Sequence, residues 1–251
     1  METKARALLV DIKRCIGCRA CVAACKEAHG FPGDESATEL SAVAYTAMVD
    51  HGEDLHVRKL CMHCQTPSCA SVCPVGALHK TAAGPVEYDA SRCLGCRYCM
   101  VACPWSVPRY EWSALAPSVR KCDFCQERAE RGQPPACVEA CPAEASVTGT
   151  REDLLAEAHR RIAADPKGYY PHVYGETEAG GTSVLFLSPV PFEELGFVQG
   201  LGNEPLPGLT WQVLEKIPGV ASIGGSVLFA LWWITHRREE VARAEEAGHA
   251  Q

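Results

Sequence analysis

Hydrophobic residues along this chain fall into short runs that are separated by polar turns and by cysteines. Residues 5–12 read Ala-Arg-Ala-Leu-Leu-Val-Asp-Ile, a short apolar run that favours a β-strand. Residues 145–148 and 183–187 are further strand candidates, and we expect 145–148 to pair with the N-terminal strand. In Arg151–Ala164, apolar side chains recur at helical spacing, which predicts an amphipathic helix that packs on the domain.

Two hairpins are predicted between the cysteine-rich segments. Residues 78–80 and 86–88 flank an Ala-Gly pair, and this combination favours a turn between two strands. In the longer insertion, residues 31–60, the stretches 43–45 and 55–57 suggest a second hairpin in a loop with little core of its own. This insertion would either contact a partner subunit or pack over the groups that the cysteines bind.

The longest uncharged stretch lies near the C-terminus, at residues 217–235. As a helix it would be ~28 Å long, close to the ~30 Å thickness of the hydrocarbon layer of a membrane. Trp211, Trp232 and Trp233 lie near its ends, as aromatic residues do at membrane interfaces. The stretch is therefore predicted to be a transmembrane helix within an anchor at 209–238. A buried core helix is the alternative.

The charges that flank this helix indicate an orientation. Arg237 and Arg238 follow it, whereas Lys216 alone precedes it. By the positive-inside rule, the charged tail at residues 239–251 would be cytoplasmic and the cysteine-rich part of the chain would lie outside the cytoplasm.

Sixteen cysteines in four runs are the residues that indicate the chemistry of this chain. They are Cys15, Cys18, Cys21, Cys25; Cys61, Cys64, Cys69, Cys73; Cys93, Cys96, Cys99, Cys103; and Cys122, Cys125, Cys137, Cys141. The third run has three cysteines at intervals of two residues, a fourth after three more, and then Pro104, which is the spacing that binds 4Fe-4S clusters in bacterial ferredoxins. Zinc sites favour separated Cys-X-X-Cys pairs and do not explain this run, while a disulfide framework would require a secreted chain.

Three further residues within the runs have a predicted role. Gly17 in the first run and Gly95 in the third occupy the same place, where a small residue lets the backbone approach the sulfurs. His63 lies inside the second run, but four cysteines already complete that site. We therefore predict that His63 has a hydrogen-bonding or surface role and is not an iron ligand.

The net charge of the chain is −7. It would become about −15 with four oxidised clusters, each about −2 with its thiolates. A chain this negative is not expected to bind nucleic acid. Basic residues near the runs are either solvated surface charges or groups that raise the cluster potentials. They are Arg14, Arg19, Lys26, Lys59, Arg92, Arg97, Arg120 and Lys121.

In a two-cluster ferredoxin the fourth cysteine of each run serves the neighbouring cluster, so four runs make two pairs. Sequential pairing would join the first run to the second and the third to the fourth. The short hairpin between the second and third runs, and the expected pairing of the first and last strands, favour nested pairing. The predicted ligands are Cys15, Cys18, Cys21 and Cys141 for cluster A; Cys122, Cys125, Cys137 and Cys25 for cluster B; Cys61, Cys64, Cys69 and Cys103 for cluster C; and Cys93, Cys96, Cys99 and Cys73 for cluster D.

The predicted fold class is α+β. Residues 1–150 would form two pseudo-symmetric two-cluster ferredoxin-like units with long loop insertions, followed by the single transmembrane helix. Residues 151–208 would add the amphipathic helix, a strand and a linker rich in proline and glycine at 189–208, which we expect to pack on a partner.

The four runs, their order, and Gly-Glu-Thr-Glu-Ala-Gly-Gly-Thr at 175–182 resemble the iron–sulfur subunits of the molybdopterin oxidoreductase (DMSO reductase) group. The chain is most similar to the β subunit of respiratory formate dehydrogenase and to the ferredoxin-like subunit of membrane-anchored uptake hydrogenases. The resemblance implies four 4Fe-4S clusters, a catalytic subunit with molybdopterin or nickel–iron, and a quinone-reactive, cytochrome b-type membrane subunit. It also implies export of the folded complex, and a partner would carry the signal unless the complex faces the cytoplasm.

The chain offers no combination of nucleophile, base and oxyanion donors, so we predict that it has no catalytic site of its own. It would relay single electrons between the catalytic and membrane subunits of a respiratory oxidoreductase in a bacterial-type inner membrane. The alternatives are a freestanding polyferredoxin and a zinc-binding structural protein.

Overall fold

The computed structural model describes residues 6–115 and 117–249, in one unit up to Pro207 and another from Gly208. Its strands are β1 Arg6–Asp11, β2 Ala47–Asp50, β3 His56–Lys59, β4 Leu78–Lys80, β5 Val86–Tyr88, β6 Arg109–Tyr110, β7 Val119–Arg120, β8 Ser146–Thr150 and β9 Val184–Leu187. Its helices are α1 Ala20–Ala28, α2 Ser68–Ser71, α3 Tyr98–Ala102, α4 Gln126–Glu130, α5 Ala136–Glu139, α6 Arg151–Ala164, α7 Leu206–Leu214 and α8 Ile217–His249. The predicted mixture of helices and short strands is confirmed, while residues 1–5 of the first predicted domain and 250–251 of the tail lie outside the described residues.

Strand β1 is the centre of a three-stranded sheet. Strand β8 pairs with it in antiparallel orientation and β9 in parallel orientation, so that Leu9 lies opposite both Val147 and Leu185. The predicted pairing of the first and last strands is therefore confirmed. Core side chains cover both faces of β1, because Leu9 packs with residues of α6 and Leu8 packs with the larger aromatic core. This double burial explains why β1 is continuously apolar and does not alternate.

Helix α6 has the predicted bounds, Arg151–Ala164. Thr150 caps its first turn, because the side-chain hydroxyl of Thr150 accepts a hydrogen bond of 3.1 Å from the backbone N–H of Asp153. Leu154 and Ala158 on its inner face are buried against the sheet. The helix therefore closes one side of the sheet, as the spacing of its apolar residues predicted.

Hairpin β4–β5 is confirmed, with Leu78 opposite Tyr88. The other predicted hairpin is wrong in its first strand, which is Ala47–Asp50 and not 43–45; it pairs with His56–Lys59. Met48 explains the difference, since it is fully buried and packs with Val22 of α1. The insertion at 31–60 also has more core than we predicted, because Leu40, Ala44 and Val57 are buried within it.

The segment at 189–208 is not a simple linker. Phe192 and Leu195 are each 3% exposed and belong to the same core as Phe186 of β9. The proline and glycine content of the segment predicts turns, but it does not indicate that apolar side chains between these turns join the core. At least this part of the segment packs on its own chain.

The unit that begins at Gly208 contains most of α7 and the whole of α8. The helical stretch Leu206–Arg243 is long and apolar enough to cross a membrane, because an 18-residue window within it has a mean hydropathy of 1.6. The predicted apolar stretch 217–235 lies inside α8, which continues as a helix through the charged residues to His249.

Candidate functional site

The first and third cysteine runs have the same backbone conformation. Each follows a short 3-10 helix, and the leading cysteines have nearly equal torsions: φ −71° and ψ 125° at Cys15, φ −73° and ψ 123° at Cys93. Arg19 and Arg97 then adopt left-handed conformations, with φ of 58° and 61°, before α1 and α3 begin. The sequence repeat is therefore also a repeat of local structure.

Glycine is required at the second turn of both runs. Gly17 and Gly95 have φ of +67° and +72°, a region that side chains with a Cβ rarely adopt. A Cβ on Gly17 would lie 2.5 Å from Cε1 of His56, and one on Gly95 would lie 2.9 Å from the hydroxyl oxygen of Tyr110. Each cysteine loop therefore packs against a ring, that of His56 in β3 for the first run and that of Tyr110 in β6 for the third.

The second and fourth runs share a different conformation. Pro67 and Pro135 precede the short helices α2 and α5, which carry Cys69 and Cys137. Within the two Cys-X-X-Cys turns, His63 and Phe124 both have positive φ, 47° and 63°. These two residues also contact each other edge to face, with ring centroids 5.0 Å apart.

Strand pairing places the first run beside the fourth and the second run beside the third. The first and fourth runs adjoin the paired strands β1 and β8, and their helices α1 and α5 pack together. The second and third runs adjoin the paired strands β4 and β5, and their helices α2 and α3 pack together.

Two cavities are each lined by three cysteines of one run and one cysteine of another. Cys15, Cys18 and Cys21 share the first cavity with Cys141. The second cavity has the same composition, and its cysteines are Cys73, Cys93, Cys96 and Cys99. All sixteen cysteines are free thiols. In the described part of the chain, no three His, Cys, Asp or Glu side chains surround one point as they would a lone metal ion.

The other eight cysteines lie deeper and influence one another electrostatically. Burial, followed by the nearby Cys61, Cys103 and Cys69, raises the pKa of the Cys64 thiol well above its usual value. Cys25 behaves in the same way, because burial and then Cys137 and Cys125 raise the pKa of its thiol. Such groups disfavour several simultaneous negative charges unless a cation or a metal cluster balances them.

Cysteines of different runs also lie near one another. Cys137 lies near enough to raise the pKa of Cys21, Cys61 to raise that of Cys122, and Cys99 to raise that of Cys69, although burial is the largest cause in each case. The residues Cys18 and Cys96 are exposed, one in each of the two cavities.

Backbone N–H groups point at several sulfurs. The amide of Ala77 donates to Sγ of Cys73 at 3.2 Å, that of Phe124 to Sγ of Cys122 at 3.4 Å, and that of Val107 to Sγ of Cys103 at 3.5 Å. At Cys73, burial raises the pKa of the thiol, but the amides of the following turn outweigh it and the net shift is downward. Thiolates with N–H donors are the donor set that iron–sulfur clusters require, so the residues fit such a group.

His63 makes the hydrogen bond that the sequence predicted. The side chain is fully buried, and its Nδ1 accepts a hydrogen bond of 3.0 Å from the backbone N–H of Val86. Burial lowers the pKa of His63 well below its usual value, so the ring is neutral. A surface position, the other possibility we considered, is excluded.

One functional candidate, Arg58, was missed by sequence reasoning. Arg58 is 2% exposed and lines the same cavity as Cys21. Among the basic residues that were singled out, Lys121 is also buried, and its Nζ donates to the carbonyl oxygens of Val86 and Cys122. Arg58 lies three residues before Cys61 in an ordinary strand pattern, so only the hairpin register shows that it faces the sulfurs.

Comparison with known families defines the class of protein. Residues 54–151 match a family model described as a 4Fe-4S dicluster domain, and residues 14–78 match a second model with the same description. With the sixteen cysteines, this makes the chain an iron–sulfur protein with four 4Fe-4S clusters.

Curated relatives define the family more closely. The chain is 41% identical to a protein of Nitratidesulfovibrio vulgaris, over 96% of this chain and 69% of the relative. It is 39% identical to the hydrogenase-2 operon protein HybA of Escherichia coli, over 75% of this chain and 71% of that protein. It is 35% identical to the iron–sulfur subunit of the nitrate-inducible formate dehydrogenase of Escherichia coli, over 72% of this chain and 67% of that subunit. The chain therefore belongs to this family of iron–sulfur electron-transfer subunits of respiratory oxidoreductases, and the resemblance noted from its cysteine runs is confirmed.

Proposed function

We propose that the sixteen cysteines hold the four clusters in the nested arrangement. Cys15, Cys18, Cys21 and Cys141 hold cluster A; Cys122, Cys125, Cys137 and Cys25 hold cluster B; Cys61, Cys64, Cys69 and Cys103 hold cluster C; and Cys93, Cys96, Cys99 and Cys73 hold cluster D. The observation that carries this assignment is the pair of cavities in which three cysteines of one run meet the fourth cysteine of another. The repeated backbone of the runs supports two pseudo-symmetric units, A with B and C with D.

The bound clusters supply reversible one-electron redox chemistry, at potentials between ~−700 and +450 mV in proteins generally. The chain contributes a low-polarity interior for the middle groups, in which Cys25, Cys61 and Cys125 are buried. Its backbone amides hold the sulfurs in fixed positions, which limits rearrangement when the charge changes. The exposed groups at Cys18 and Cys96 would be the points where electrons enter and leave.

The electron donor or acceptor at one end would be a catalytic subunit with molybdopterin or nickel–iron. The other end would face a quinone-reactive, cytochrome b-type membrane subunit. Relatives named as a hydrogenase-2 operon protein and as formate dehydrogenase subunits support both assignments, as does the helix long enough to span a membrane. Arg237 and Arg238 after the apolar stretch support a cytoplasmic C-terminus, with the cluster-binding unit on the other side of an inner membrane.

Substrate chemistry would then belong to the catalytic subunit. The test uses the complex purified in detergent through a tag on this chain, and compares it with the chain produced alone. We expect a large molybdopterin or nickel–iron protein to copurify, and formate or hydrogen to bleach the cluster absorbance only when that protein is present. Bleaching of the isolated chain by either substrate would contradict the absence of a catalytic site. A chain that leaves the membrane without its partners would favour a freestanding polyferredoxin.

A further inference from the structure

A buried arginine lies between two of the cysteine groups. Arg58 is in β3, three residues before Cys61, and is 2% exposed. It lines the cavity that Cys15, Cys18, Cys21 and Cys141 also line. It is therefore placed to act on whatever these sulfurs hold.

The hydrogen bonds of Arg58 leave most of its guanidinium unsatisfied. Its Nη1 donates to the hydroxyl oxygen of Ser146 at 3.0 Å. Its Nε and Nη2 are buried and have no partner of good hydrogen-bond geometry among the described residues. The described residues also provide no carboxylate within ion-pair distance of Arg58. A buried cation without a counter-charge is strongly unfavourable, so an anion is expected beside it.

The nearby sulfurs identify that anion. Cys21 lies beside the guanidinium, and Cys137 and Cys122 are close enough to interact with its charge. In the nested arrangement, Cys21 is a ligand of cluster A, and the other two are ligands of cluster B. Among the described residues, Arg58 therefore faces the sulfurs assigned to one pair of clusters and no acidic side chain.

The other pair of clusters has no such cation at the corresponding place. Val119 in β7 precedes Cys122 by three residues, as Arg58 precedes Cys61. It is 1% exposed and lines the cavity of Cys73, Cys93, Cys96 and Cys99. The two backbones are similar, but Arg58 presents a guanidinium to one pair of sulfur groups and Val119 presents two methyl groups to the other pair.

We propose that Arg58 is a positioning residue for clusters A and B, and that its fixed charge keeps their reduction potentials above the values they would otherwise have. Reduction adds one negative charge to a cluster, and a buried cation stabilises the reduced form more than the oxidised form. The Nε and Nη2 groups of Arg58 would in addition donate hydrogen bonds to the sulfurs of a bound cluster, and such bonds act in the same direction. This inference rests on the proposed ligand assignment.

The test is a redox titration of the detergent-purified complex, followed by electron paramagnetic resonance, in Arg58→Gln and Arg58→Lys variants. The glutamine variant keeps a polar side chain but loses the charge, whereas the lysine variant keeps the charge. We expect two of the four midpoint potentials to fall in Arg58→Gln, and the same two to remain near the wild-type values in Arg58→Lys. Ser146→Ala is the matched control, because it removes the partner of Nη1 and leaves the charge, so it should lower none of the potentials.

Iron content separates this proposal from the assignment of four clusters. About sixteen irons and four signals in the wild type would support the assignment whatever Arg58 does. Unchanged potentials in Arg58→Gln, an equal shift of all four, or an equal shift in the glutamine and lysine variants would overturn the role of Arg58. If Arg58→Gln assembles poorly, the proposal predicts that only two signals are lost and that Arg58→Lys restores them. Loss of all four signals in both variants would contradict it.

Discussion

The two pairs of cysteine runs have nearly the same backbone but very different neighbours. Arg19, before α1, forms an ion pair with Asp50 at 2.5 Å, whereas Arg97, at the same place before α3, lies over the rings of Tyr110 and Trp112. Positions that are alanine on α1 are Tyr98 and Val101 on α3, which are 63% and 88% exposed.

Features that both pairs share are those that the cysteine loops need, and features that differ between the pairs are not required by the loops. The left-handed residues, the two glycines and the prolines recur because they shape the loops that present the sulfurs. Charge, burial and surface character differ because the insertions and the sheet around each pair differ. Three predictions follow from particular differences between the pairs.

The largest effect is expected at Asp11, the residue that precedes the first 3-10 helix. Asp11 is fully buried, and its Oδ2 accepts hydrogen bonds from Arg161 at 2.9 Å and from Tyr169 at 2.8 Å. Its counterpart Asp89 is only partly buried, and its Oδ1 accepts a hydrogen bond of 2.9 Å from the backbone N–H of Ser91. Arg161→Leu would remove the buried cation and leave the Asp11 carboxylate with only the half-exposed Arg14, whose Nε lies 3.5 Å from Oδ2. We expect the free energy of unfolding to fall by about 3 kcal/mol.

Denaturant titration of the anaerobic protein measures this change. Arg160→Leu is the matched control, because the neighbouring Arg160 lies on the exposed side of the same helix and pairs with Glu157 alone among the described residues. We expect no measurable change in that variant. An equal loss of unfolding free energy in the two variants would show that the buried ion pair stabilises the fold no more than the exposed one.

A smaller effect is expected at the loop glycines. Gly17→Ala meets the ring of His56 and also requires a positive φ, so we expect it to lower the free energy of unfolding by about 2–3 kcal/mol. Gly95→Ala meets only the hydroxyl end of Tyr110 and should cost less.

Gly132→Ala isolates the backbone contribution. Gly132 has φ of +71° and no atom within 4 Å of an added Cβ, so only the cost of the left-handed conformation, about 1 kcal/mol, is expected. Thermal melting should rank the three variants in the order Gly17, Gly95, Gly132, with about 2–4 °C per kcal/mol for chains of this size. A melting temperature of Gly17→Ala no lower than that of Gly132→Ala would be inconsistent with the packing of His56 on the loop.

The smallest effect is expected where Arg97 lies over Trp112. The guanidinium carbon is 5.1 Å from the ring centroid, and the tryptophan is 68% exposed. A double-mutant cycle with Arg97→Ala and Trp112→Ala should give a coupling energy of about 0.5–1 kcal/mol. High salt should change it little, whereas a cycle on Arg19 and Asp50 should lose its coupling as salt increases. Equal salt sensitivity in the two cycles would remove this distinction.

Local rules account for the parts of the fold that the sequence predicted correctly. The bounds of α6 and the β4–β5 hairpin follow from periodicity and turn residues close to each element. The pairing of β1 with β8 is predicted because it closes the repeat of the cysteine runs. The family also followed from the sequence, because few other proteins need cysteines at this spacing. The grouping of the cysteines into clusters remains a prediction, which the cavities support.

Other features depend on contacts that are distant in sequence. Met48 determines where β2 lies by packing on α1, and Phe192 joins a core that only the folded chain assembles. Arg58 has the sequence context of a surface residue in a strand, yet β3 places it against sulfurs from both ends of the cluster-binding region. Periodicity gives no information about such tertiary contacts.

The most direct test of the nested arrangement uses Cys18→Ser, Cys141→Ser and the double variant, with 4Fe-4S signals counted by electron paramagnetic resonance after full reduction. Our account places both cysteines on cluster A, so each single variant and the double variant should alter the same signal and leave three unchanged. Sequential pairing would place Cys141 on a cluster with the third run. In that case the double variant would leave only two signals unchanged, and the nested arrangement would be wrong.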